Sequence, residues 1–214
     1  MRRRRDTKPL RRATARRPEL RTVVVFCEGK NSEPDYIRGL KRLPEVVRDT
    51  ALNLELHPRQ GVPLTLVQMA ADRLEDPEVD ACWCVFDVEW PRNHPNLAEA
   101  RQLAEARGIR LAISNPCFEL WLVLHHQEFT KQVATAEAER LSRKLDGRSA
   151  KSIDSGFYLP LRKMAAARAA KLEERHAKDG TNFPHDNPSS GMHHLLRALE
   201  PGTQPAGPTA GGYA

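Results

Sequence analysis

Three acidic residues stand where buried strands run out. Asp87 and Glu89, in VFDVEW, lie two apart at the end of one apolar run, and Glu28, in VVVFCEGK, closes another. Side chains two apart on an extended segment point to the same side, so the spacing predicts that Asp87 and Glu89 share a face. Packed carboxylates repel one another unless a cation sits between them. Oxygen donors with no His or Cys alongside favour a hard ion, Mg²⁺ or Mn²⁺. Such an ion neutralises the non-bridging oxygens of a phosphodiester, and a spare carboxylate serves as general acid or base. Asp87 and Glu89 are therefore read as metal ligands, and Glu28 as a ligand or a proton-transfer group. Gly29 is expected to let the backbone turn tightly behind Glu28. Asp-x-Glu alone is a common solvated strand end; Glu28-Gly29 at the matching end of a second strand gives it weight.

A second ring of candidates surrounds these three. Glu33 is either a helix-dipole partner or a further acid. Ser114 and Asn115 end another apolar run and either face the same pocket or, for Asn115, cap the helix that Pro116 opens. Glu119 is unusual inside FELWLVLHH and needs a partner or a site to face. His125 reads as a helix-end residue favoured by the dipole or as a base. Lys30 and Lys151 are phosphate contacts or solvated charges. Asn187, Ser189 and His194 belong to a late polar loop, DNPSSGMHH, which either closes over the site or caps the last helix.

The elements that must position these residues follow from hydrophobic period. Residues 22–27 form a β-branched run suited to a strand buried on both faces. Residues 34–43 have helical spacing with Pro34 in the first turn. Residues 51–57 alternate as a strand, 63–74 are an amphipathic helix, and 81–88 are a third strand. Residues 95–107 form a helix that Gly108 ends, 109–114 a fourth strand, and 116–126 a mostly buried helix. Alternation of this kind predicts an α/β fold: a mostly parallel sheet with helices on both faces. A helical C-terminal extension follows, with helices over 134–145, 157–178 and about 192–199. On the 157–178 helix, Arg162, Lys163, Arg168 and Lys171 read as surface charges, either solvated or facing nucleic acid.

The charge is uneven. The chain carries a net +6, yet residues 1–22 hold nine Arg and one Lys against two acids, so the remaining residues are slightly acidic. Residues 1–21 read as a disordered basic arm that attracts polyanions without sequence preference. Residues 201–214, rich in Pro, Gly and Ala, read as a disordered tail, leaving 22–200 as one domain. No apolar run approaches the ~20 residues of a membrane span, and no apolar stretch follows the N-terminal arginines as in a secretory signal. Cys27, Cys82, Cys84 and Cys117 have no zinc-like spacing and read as core thiols of a reducing, cytoplasmic compartment. The absence of G-x-x-x-x-G-K-S/T argues against an ordinary NTPase.

The segments VVVFCEGKNSEPDYIRGL, VFDVEW and AISNPCFELWLVLHH closely resemble the RloB-like family, and DNPSSGMHHLL is similar to that family's closing motif. The resemblance covers about residues 22–199. Members are linked to abortive-infection defence and often encoded beside type I restriction-modification genes. The family is in turn similar to Toprim domains, the catalytic fold of topoisomerases and primases. That resemblance implies a Toprim-like sheet and a Mg²⁺-dependent nuclease, with Glu28 as the Toprim Glu and Asp87-Val88-Glu89 as its D-x-D. Glu in place of the second Asp reaches about one methylene further. The implied partners are nucleic acid (DNA or RNA, tRNA included) and an ATPase or restriction-modification components; an oligomer is compatible with all of this. A catalytically degenerate nucleic-acid-binding or regulatory subunit is the alternative that Glu89 favours.

Overall fold

A computed structural model describes residues 20–56 and 62–200. The arm expected over 1–21 lies outside the described residues as far as 19, as do the 201–214 tail and His57 of the second strand. Arg21, assigned to the arm, already pairs in the sheet.

β1 (Arg21–Cys27) is buried from Val23 onward, and β3 (Ala81–Asp87) throughout. Two flanking strands, β2 (Thr50–Leu56) beside β1 and β4 (Arg110–Asn115) beside β3, complete the parallel part of the sheet. The order is β2-β1-β3-β4-β5. The last strand, β5 (Ser189–Ser190), pairs antiparallel with β4, Ser114 opposite Ser190. Two residues with no apolar alternation leave no strand signal, so only the tertiary contact makes this segment a strand.

Strand period divides the core in two. Val24 and Phe26 of β1 and Cys82, Cys84 and Phe86 of β3 face α3 (Pro63–Leu74) and α4 (Leu97–Arg107). Val23, Val25 and Cys27, with Trp83 and Val85, face α1 (Ser32–Leu40) and α5 (Phe118–His126). Helices therefore cover both faces, as crossovers between parallel strands require. A short α2 (Pro44–Val47) precedes β2. Gly108 ends α4 at φ +68°, in the left-handed region where glycine carries no Cβ penalty.

The C-terminal extension is helical but not peripheral. α6 (Thr135–Asp146) packs on α5. The single helix expected over 157–178 is broken: α7 (Ser155–Tyr158) gives way to a 3₁₀ turn over Leu159–Leu161 before α8 (Arg162–Asp179). Pro160 lacks the N–H that a continuous helix would use there. α8 lies along α5, and α9 (Met192–Leu199) sends Leu195, Leu196 and Leu199 into the same core as β1 and α5. Arg162, read as a surface charge, is buried and bonds Glu200 at 2.7 Å. No helix among the described residues is long and apolar enough to cross a membrane.

Candidate acidic site at the carboxyl edge of the sheet

β1 and β3 run side by side and end together, Cys27 level with Val85. The next residue, Glu28, still donates its N–H to the Val85 carbonyl at 3.1 Å. Its carboxylate thereby reaches the Asp87 backbone N–H, which favours the charged form. Asp87, the last residue of β3, is opposite Ser114. Beyond it, Val88 and Glu89 donate to the Ser114 and Pro116 carbonyls at 2.9 and 2.8 Å. Those bonds carry Glu89 into a left-handed conformation, φ +65°. The expectation that Asp87 and Glu89 share a strand face is corrected accordingly. The strand stops at Asp87, and the turn at Glu89, not the pleat, delivers its carboxylate to the same cavity.

That cavity, of about 460 Å³, collects six carboxylates against four Lys and Arg side chains. Glu28, Glu33, Asp87, Glu89 and Glu119 line it from β1, α1, β3, the turn after β3 and α5. Glu139 of α6 sits at the rim, ion-paired with Arg143 at 3.1 Å. Lys30 and Lys151 also line it. Sequence reasoning named all of these except Glu139 and Arg143, which look like solvated charges on an amphipathic helix.

Gly29 corrects a second expectation. Its φ is not in the left-handed region; what it supplies is space. A Cβ built there would collide with the Glu33 carboxylate, so this glycine lets Glu33 fold back over the β1 exit.

Electrostatics mark the site. Burial first, then Glu33 and Glu89, push the Glu28 carboxyl up to about 8. Burial and the neighbouring Glu119 and Glu89 push Glu33 up to about 7. Asp87 is raised well above the carboxylate range by burial and by Glu33, Glu119 and Glu89, while the Phe118 N–H at the start of α5 pulls it back. Glu89 is raised by burial, with Glu119 and Glu139 adding to it. Asp87 Oδ1 is buried with no hydrogen-bond partner. A buried, unpaired carboxylate oxygen among other carboxylates is costly unless protonated or bound to a cation.

Two residues absent from the sequence reading complete the wall. His94 Nε2 is 3.1 Å from Glu28 Oε1, and its own N–H is tied to the Val88 carbonyl at 2.9 Å. Burial lowers its pKa. Arg148 is pinned by Asp146 and lies 3.8 Å from Glu119 Oε1. Ser32 Oγ stands 3.0 Å from both Glu119 Oε1 and the Lys151 carbonyl. His94 and Arg148 sit in loops without a motif, so no spacing announces them.

The other candidates lie elsewhere. Ser114 is fully buried against Ser190 Oγ at 3.2 Å. Asn115 is not the helix cap: α5 starts after Cys117 without a side-chain cap, and the Asn115 amide donates to the Pro184 carbonyl and Asp186 Oδ1, both at 3.0 Å. His125 is neither dipole partner nor base. It is sealed among Tyr36, Trp121 and Tyr158, and burial drives its pKa down to about 3. The cation at that helix end is Arg168, donating to the Leu124 and His125 carbonyls at 2.7 and 3.0 Å. Asn187 clamps the Val133 backbone through both ends of its amide. Ser189 and His194 line a different cavity, of about 370 Å³.

The oxygen-rich donor set suits Mg²⁺ or Mn²⁺. Glu28, Asp87 and Glu89 are the residues that would hold the ion. As they stand, no three carboxylates of the cleft bring an oxygen each within 4.8 Å of one another.

A family model described as RloB-like protein matches residues 23–199. No curated protein and no solved structure matches the chain.

Proposed function

The chain belongs to the RloB-like protein family, and from that premise we propose that it is a Toprim-like nuclease, dependent on Mg²⁺ or Mn²⁺, that hydrolyses phosphodiesters of DNA or RNA in anti-phage defence. One observation carries the reading. Five carboxylates from separate elements face one open cavity at the carboxyl edge of a parallel sheet, with a buried Asp87 oxygen left unpartnered. Folding has gathered carboxylates that need protons or a cation, at the edge where open α/β sheets bind ligands.

The roles follow from position. Glu28, Asp87 and Glu89 hold the ion, which supplies charge neutralisation at the phosphate and a more acidic bound water. Glu33, with its pKa near 7, is charged and neutral in comparable amounts at neutral pH, as a proton-transfer group needs. His94 stands beside Glu28, its Nε2 3.1 Å from the carboxylate, and fixes that wall of the site. Lys30 and Lys151 face incoming phosphate from the rim.

A second reading, a catalytically degenerate binding or regulatory subunit, is favoured by the spread of the carboxylates and by the left-handed turn at Glu89. One assay separates the two. Full-length protein is incubated with tRNA, single-stranded DNA, duplex DNA and plasmid, with Mg²⁺ or Mn²⁺, beside Glu28→Gln and Asp87→Asn. Cleavage that either substitution abolishes supports the nuclease. Metal-independent retention of nucleic acid without cleavage supports the second reading.

A further inference from the structure

On the far side of β5, Glu173 of α8 faces His193 and His194 in the first turn of α9. Glu173 Oε2 is 3.0 Å from His193 Nε2, and Oε1 is 3.0 Å from His194 Nε2. Their three donor atoms lie within 4.8 Å of one another.

The hydrogen-bond count at His193 does not close. Its Nδ1 lies 2.8 Å from the Ser190 carbonyl, an acceptor only, so Nδ1 carries a proton. A neutral ring then presents the Nε2 lone pair to an ionised carboxylate oxygen, lone pair against lone pair. Protonating Nε2 would repair this, but His193 is 3% exposed and its ring centroid is 3.9 Å from that of His194. A cation shared by the two rings and the carboxylate satisfies all three at once. A backbone carbonyl fixing Nδ1–H, with Nε2 turned to the ion, is how proteins orient an imidazole ligand.

We infer that Glu173, His193 and His194 form a second metal site, separate from the acidic cleft, that takes a zinc-class transition ion. Two imidazoles and one carboxylate are a borderline donor set, matched to Zn²⁺ rather than Mg²⁺. Donors about 2.0–2.1 Å from a tetrahedral ion stand about 3.3 Å apart, close to the 3.0 Å spacings present here. The adjoining cavity of about 370 Å³ leaves the fourth position open to water. The ion would tie α8 to α9 next to the short edge strand.

The test uses untagged full-length protein, stripped with a chelator and titrated with Co²⁺ and then Zn²⁺, beside Glu173→Gln, His194→Ala and Glu28→Gln. Glu173 and His194 are exposed enough to replace without opening the core, and circular dichroism checks the fold. The expected result is one Co²⁺ with the intense visible absorption of four-coordination, displaced by Zn²⁺. It persists in Glu28→Gln and weakens roughly a hundredfold in His194→Ala and Glu173→Gln. Absence of that absorption, or equal affinity in wild type and both cluster variants, would overturn the site and leave a hydrogen-bonded clamp between two helices.

Discussion

Two parts of this molecule bury charge, and they do so in opposite ways. Around Arg162 the anions have cations: Arg162 bonds Glu200 at 2.7 Å and Glu45 at 3.2 Å. Nearby, Asp146 accepts from Tyr158 and Arg148, and its pKa is lowered although burial opposes it. In the acidic cleft the anions mostly have one another, and every resolved carboxylate shift there is upward. The first arrangement is self-sufficient and ties the start of α8 to α2 and to the residue after α9. The second is complete only when protons or a cation are added. Buried polarity with partners maintains a fold; buried polarity without them marks a place where something binds.

Substitutions that reduce charge should therefore act in opposite directions in the two regions. The largest expected effect is in the cleft. Asp87→Asn should cost roughly a hundredfold or more in nuclease rate while raising the midpoint of metal-free thermal unfolding, because it removes a charge the fold holds unwillingly. A loss of both activity and stability would erase the contrast. In the paired region, Glu200→Gln leaves Arg162 only the more exposed Glu45 as an anion and should destabilise by about 1–3 kcal/mol with little change in rate per folded molecule. Denaturant titration measures it.

The third effect is pH dependence. Glu28 has a folded pKa raised to about 8. Above its unfolded value the unfolded chain releases this proton while the folded chain keeps it, so stability falls with rising pH until the folded pKa is passed. His125, depressed to about 3, works the other way, losing stability as pH falls below its unfolded value near 6.5. Between about pH 6.5 and 8 His125 no longer contributes, and metal-free protein should lose about 2 kcal/mol from Glu28, with Glu33 adding a smaller loss of the same sign. Saturating Mg²⁺ should flatten the decline, since binding stabilises the deprotonated fold. A flat metal-free profile would show that the cleft holds no such proton. The smallest effect is Gly29→Ala. The added methyl displaces a flexible carboxylate, so the cost should be about 1 kcal/mol, with the pH optimum moved because Glu33 has moved.

Much of the scaffold is readable because buried parallel strands are continuous β-branched and apolar runs, and because strand ends in such sheets collect at one edge. That logic places Glu28 and Asp87 correctly along the chain. It also flags Glu119, whose charge contradicts its apolar helix. It does not reach Glu89's geometry, which depends on backbone bonds to Ser114 and Pro116, or Gly29's purpose, which depends on where Glu33 folds. His94 and Arg148 come from loops whose paths only the folded chain defines. His125 looks exposed at a helix end until Tyr36 and Tyr158 close over it. Glu173 meets His193 and His194 only because α9 returns beneath β4, a contact without a local signal.

A divalent cation entering the cleft should displace protons that its carboxylates hold. Isothermal titration of Mg²⁺ or Mn²⁺ into the full-length chain at pH 7, repeated in buffers of different ionisation heat, measures that exchange directly. Binding should release protons, with about one fewer released in Glu28→Gln. Binding without proton release, or no binding that depends on Glu28 and Asp87, would contradict it.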